Sequence, residues 1–160
     1  MIKNFLKKYI PEGKQNQYAK LAGLSKPTII NWKKYNNPRT FELICLCKVI
    51  AQQQNLNFIF ISIEAIKSTV ISVFTTNIDV LPQKHDNQYK MEHLFDKYAP
   101  NLKYIANTGF SYSQIRHWKN GRATPKPKQL YKLCFVMATI NNIHIDIIIS
   151  EAINLIWTTT

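Results

Sequence analysis

The second half of this chain repeats the first, and this constrains its fold more than any other feature. Lys8-Tyr9-Ile10-Pro11 matches Lys97-Tyr98-Ala99-Pro100, Tyr18 matches Tyr104, and Gly23 matches Gly109. Ser25, Ile29, Trp32 and Lys33 then recur at one constant shift as Ser111, Ile115, Trp118 and Lys119. One residue is inserted after that lysine. Beyond it Pro38, Leu43, Leu46, Cys47 and Ala51 recur as Pro125, Leu130, Leu133, Cys134 and Ala138. The match runs on through Asn55 and Asn142 to Glu64-Ala65-Ile66 and Glu151-Ala152-Ile153. Order is kept and only loops change length, which is the mark of a duplicated unit.

The repeat divides the chain into a first unit at residues 1–66, a connector at 67–89 and a second unit at 90–160, the match itself ending near 154. The connector opens with a β-branched stretch, Thr69 to Phe74, that either prolongs the preceding helix or pairs as a strand. A polar segment with Pro82 follows. A chain of 160 residues accommodates two small domains. Its 46% hydrophobic content suffices for packed cores. With only four glycines, a fold built on tight β-turns is disfavoured.

Apolar spacing within each unit predicts helices. Ile2, Phe5, Leu6 and Tyr9 lie at helical spacing, as do Met91, Leu94, Phe95 and Tyr98. Pro11 and Pro100 close these segments, because proline disfavours helix in the residue before it. A short second helix is expected at about Gln15–Ala22 and Asn101–Thr108, with Asn101 as N-cap. Gly23 and Gly109 follow, free to take positive φ and turn the chain. Ser25 and Ser111 can cap a third helix that runs to about Lys34 or Asn120, and Pro27 suits its first turn. Ile29 and Trp32, like Ile115 and Trp118, face inward together. A fourth helix carries Leu43, Leu46, Cys47 and Ile50, matched by Leu130, Leu133, Cys134 and Met137. A fifth is expected at about Phe58–Ile66 and Asp146–Ile156, where the isoleucine density leaves a strand open as well. Gly121 reads as a helix C-cap.

Charge points to a partner. Twenty-one Lys and Arg oppose nine Asp and Glu, a formal net charge of +12. No acid lies between Gly13 and Phe41 or between Lys97 and Ile145. Each window is expected to form a surface that meets negative charge, phosphate above all.

Other chemistries find little support. Cys45, Cys47 and Cys134 lack CxxC spacing and lie in apolar runs, so they read as buried small hydrophobes in a reducing compartment. No ligand-like spacing joins them to His85, His93, His117 or His144, so no metal site and no cofactor are expected. No nucleophile or carboxylate is spaced to serve a general base, and the chain is not expected to be an enzyme. The apolar stretch at Met1–Ile10 is too short for a signal peptide, and no run approaches the ~20 residues of a membrane span. A cytoplasmic location, no membrane partner and no small-molecule ligand are the corresponding expectations.

A helix, a glycine turn, Ser, then Ile and Trp at fixed spacing, then a Lys/Asn-rich turn and Pro: this pattern resembles the lambda-repressor/Cro-like helix-turn-helix family, in two tandem copies. The resemblance covers each unit and omits the connector. Ala19 fits the small residue that the family keeps four before the turn glycine, and Ile105 departs from it. The resemblance implies an all-α fold of two helix-turn-helix bundles, about five helices each. It also implies that the third helix enters the major groove of double-stranded DNA. Base contacts would then fall to Lys26, Pro27, Thr28, Ile30 and Asn31 in the first copy, and to Tyr112, Ser113, Gln114, Arg116 and His117 in the second. Phosphate contacts would fall to Gln15, Lys33, Lys34, Arg39, Lys119, Arg122, Lys126 and Lys128.

The inward residues are shared between copies and the outward ones are not. One chain is therefore expected to act as a single-chain pseudo-dimer on two unlike half-sites, and the resemblance implies a repressor-like regulator of a phage, plasmid or bacterium. The competing expectation is a helix-turn-helix protein-interaction module. Apolar residues near the unit ends (Phe58 to Ile61; Ile147 to Ile149, Trp157) would supply its interface or a homodimer seam. A third expectation is a replication or recombination accessory that binds DNA without regulating transcription.

Overall fold

In a computed structural model, residues 1–70, 91–106 and 109–158 are described, with the backbone alone at 104, 106 and 158. Every regular element among them is a helix. The helices are α1 (Ile2–Tyr9), α2 (Gln15–Leu21), α3 (Lys26–Tyr35), α4 (Thr40–Gln54), α5 (Phe58–Ser68), α6 (Glu92–Tyr98), α7 (Lys103–Ala106), α8 (Tyr112–Lys119), α9 (Pro127–Asn141) and α10 (Ile145–Thr158). The chain divides into two compact units, Met1–Thr75 with Lys126–Lys128, and Thr76–Pro125 with Gln129–Thr160. The β-branched segment of the connector lies outside the described residues beyond Val70, as does Thr108.

The first unit is built around one cluster. Ile2, Phe5, Leu6 and Tyr9 of α1 meet Ile29 and Trp32 of α3, Leu43, Leu46, Cys47 and Ile50 of α4, and Ile61 and Ala65 of α5. Helix α1 packs on α3 and α5, and α2 packs on α3 and α4. Ile10 is extended ahead of Pro11, as the ring of that proline requires. The second unit repeats the scheme: α6 packs on α8 and α10, and α7 packs on α8. Leu94, Phe95, Ile115, Trp118, Leu130, Leu133, Ile148 and Ile153 are buried there. Phe110, the counterpart of Leu24, meets Trp118 edge to face with ring centroids 4.9 Å apart.

A polar clamp recurs in both units. Lys8 Nζ lies 2.7 Å from Glu64 Oε1, and Tyr9 Oη donates to Glu64 Oε2 at 2.5 Å. In the second unit Lys97 Nζ and Tyr98 Oη donate to Glu151 Oε1 at 2.8 and 2.7 Å. The last carbonyls are shared out alike: Gln54 Nε2 donates to Tyr9 O, and Asn141 Nδ2 donates to Tyr98 O. Asn55 and Asn142, also counterparts, both take the left-handed conformation at φ 52° and 53°. The clamp thus ties the first helix of each unit to its fourth and fifth.

The stretches left open between helix and strand are helices α5 and α10. Asn57 caps α5 by accepting from Phe60 N–H at 2.9 Å. Burial of Ile148, Ile149, Ala152, Ile153 and Ile156 follows helical periodicity, so one-sided packing overrides β-propensity. Helix α7 starts at Lys103, two residues later than expected, with Asn101 Oδ1 accepting from Lys103 N–H at 3.1 Å; the expected continuation at 107 and 108 lies outside the described residues. Cys47 and Cys134 are fully buried, and burial pushes both thiols well above their ordinary range. Cys45 is only half-buried, contrary to the expectation. No helix among the described residues is long and apolar enough to cross a membrane.

Candidate nucleic-acid interface

The approach to α3 is fixed by backbone chemistry. After α2, Gly23 sits at φ +69°; Gly23 N–H donates to Lys20 O at 3.1 Å and Leu24 N–H to Ala19 O at 2.8 Å. This paired closure is a Schellman motif, and it demands a residue that tolerates positive φ. Ser25 then caps α3 by accepting from Thr28 N–H at 3.3 Å, and Pro27 stands in the first turn, where a missing N–H costs little. Ahead of α8, Gly109 likewise takes a positive φ of +86°, and Ser111 caps the helix by accepting from Gln114 N–H at 3.2 Å.

Burial of Ile29 and Trp32, and of Ile115 and Trp118, rotates each helix so that its other side meets solvent. On α3, Lys26, Pro27, Ile30, Asn31 and Lys34 are exposed at i, i+3 and i+4 spacing and form one stripe. On α8 the counterpart stripe is Tyr112, Ser113, Arg116 and His117. Neither helix carries an acid in its first turn, where the helix dipole leaves partial positive charge.

Several expected contact residues have other partners. Gln114 is half-buried and completes a capping box: its Oε1 accepts from Ser111 N–H at 3.0 Å while Ser111 Oγ accepts from Gln114 N–H at 3.2 Å. The side chain expected at a base edge is thus engaged in the helix cap. Thr28, at the same register, is half-buried with Oγ1 2.9 Å from Ser25 Oγ. Lys33 is half-buried and donates to Gln15 Oε1, tying α3 to the start of α2, so these two expected phosphate contacts are engaged with each other. Lys119 pairs with Asp96 at 2.5 Å, and Arg39 with Glu42 at 3.4 Å. Asp96 stands outside the acid-free window and the fold brings it against Lys119, whereas Glu42 borders its window three residues from Arg39.

Lys34 remains exposed with its ammonium 5.0 Å from the centre of the Tyr35 ring. Arg122 is exposed, its own N–H donating to His117 O at 2.8 Å. Lys126 and Lys128 are half-buried beside the start of α9. One feature escaped sequence reasoning. Asn36 closes α3 in the left-handed conformation at φ 49°. Its Oδ1 accepts from Ile2 N–H at 2.9 Å and its Nδ2 donates to Thr69 O at 3.1 Å, joining the ends of α1, α3 and α5. The second unit closes α8 differently, two residues shorter, with Gly121 at φ +71°.

Among the described residues no group of three His, Cys, Asp or Glu is arranged to hold a metal ion. Comparison with protein-family models, with characterised proteins and with solved structures finds no match to this chain.

Proposed function

We propose that this chain is a double-stranded DNA-binding protein of the helix-turn-helix class, with α3 and α8 as its recognition helices, and that it is not an enzyme. Its particular task on this reading is repressor-like regulation of transcription in the cytoplasm, one chain serving as a pseudo-dimer on two unlike half-sites. The observation that carries the reading is the outward stripe of each capped helix. It is exposed, acid-free in its first turn, and backed by a buried Ile/Trp pair common to both units. Such a helix suits major-groove insertion, its N-terminal residues meeting base edges and flanking cations meeting phosphate.

Titration of the full chain with random-sequence duplex at about 50 mM and about 200 mM salt tests this. Steep weakening with salt is expected, and further weakening in the Lys26→Ala/Arg116→Ala double variant. Absence of binding at low salt would contradict the reading. It would favour instead a protein-interaction module or homodimer using the exposed Phe60 and Ile147, which occupy equivalent positions on α5 and α10.

A further inference from the structure

At one register, the middle of the outward stripe, the two units carry opposite chemistry. Ile30 is 51% exposed on α3, and Arg116 takes the equivalent position on α8. One turn earlier, exposed Pro27 corresponds to Ser113; one residue later, Asn31 corresponds to His117. We propose that the two units read half-sites of opposite composition: α3 an A·T-rich half through thymine methyl groups packed on Ile30 and Pro27, α8 a half centred on a guanine held by Arg116. This rests on the DNA-binding reading and adds base identity to it.

The assignment follows from what each stripe has left to offer. Capping contacts engage Thr28 and Gln114, the side chains at the third helical position of each copy. On α3 the stripe has Lys26 and Lys34 at its ends, with Pro27, Ile30 and Asn31 between them. An exposed isoleucine with a proline one turn before it offers apolar surface and no hydrogen bond. In the major groove the apolar feature of a base pair is the thymine C5-methyl. Asn31 beside it has the paired donor and acceptor that match adenine N7 and N6–H₂. On α8 the central group is a guanidinium, whose fork matches guanine O6 and N7. Two described carboxylates of that unit pair with other cations, Asp96 with Lys119 and Glu151 with Lys97, and Asp146 lies 3.7 Å from the His144 ring. The guanidinium of Arg116 is therefore not consumed by any of these ion pairs.

The test uses the full chain and the duplex it selects from a random pool. Thymines of the A·T half are replaced by deoxyuridine, which lacks the methyl, and guanines of the other half by 7-deazaguanine, which lacks the N7 acceptor. Each duplex is titrated with wild type, Ile30→Ala and Arg116→Ala; both substitutions lie on the surface, and retained helicity is checked by circular dichroism. Deoxyuridine should weaken wild-type binding by about fourfold per contacted methyl, and Ile30→Ala should remove the part of that sensitivity owed to the methyl on Ile30 while Arg116→Ala preserves all of it. 7-Deazaguanine should weaken binding about tenfold, with the dependence on the two variants reversed. A selected site with two equivalent halves, or sensitivities that the variants leave unchanged, overturns the half-site assignment while the DNA-binding reading stands. No binding to any duplex overturns both.

Discussion

Asn36 concentrates several structural duties in one side chain. It adopts a left-handed conformation that few residues other than glycine take readily, and it bonds the first N–H of α1 and a carbonyl just past α5. Asn36→Gly keeps the backbone conformation and deletes both bonds, leaving part-buried groups unpaired. Chemical denaturation should show a loss of about 1–3 kcal/mol. Gly23→Ala tests the turn separately. An added Cβ meets nothing within 4 Å, so the cost is backbone conformation alone. A destabilisation of about 1–2 kcal/mol is expected in the same assay. Trp32 is 3% exposed in the first core, and Trp32→Ala should cost about 3–5 kcal/mol. At this scale the inward residues were legible because their spacing is a packing constraint. Gln114 was not: a glutamine near a helix start can cap the backbone or face a ligand, and only the geometry at Ser111 decides.

At the scale of elements, the repeated clamps fasten α1 to α5 and α6 to α10. Partial burial works to raise the Glu64 carboxyl, but hydrogen bonds from Lys8 and Tyr9 outweigh it and hold it below the ordinary carboxylate range. Glu151 is lowered in the same way by Lys97 and Tyr98. The unfolded chain then binds protons more readily than the folded one. The clamps therefore stabilise fully above the unfolded carboxylate pKa of about 4.3, and their contribution is lost as pH falls through the lower folded values. Thermal melts should show this acid-side loss, reduced in Glu64→Gln/Glu151→Gln. The exposure of these pairs keeps the effect modest. The chain itself revealed most helices through periodicity and capping residues. It left α5 and α10 open because isoleucine favours strands until a one-sided core is present. It set the start of α7 two residues early, because Asn101 bonds Lys103 N–H from just ahead of the helix.

For the whole molecule, duplication explains the shared cores and divergence explains the unlike outer faces. Two acid-free windows in the sequence pointed to basic surfaces, yet a tertiary contact sets Asp96 against Lys119 and a local pair three residues apart joins Arg39 to Glu42. Charge along the chain thus does not identify which cations stay available for a partner. The central claim is that one chain reads two unlike half-sites, and selection of bound duplexes from a random pool tests it most directly. The account predicts enrichment of a single non-palindromic site, whose two parts would be centred about one DNA turn (~34–36 Å) apart if both recognition helices meet one face of the duplex. Enrichment of a perfect palindrome, or no enrichment over random duplex, would contradict it.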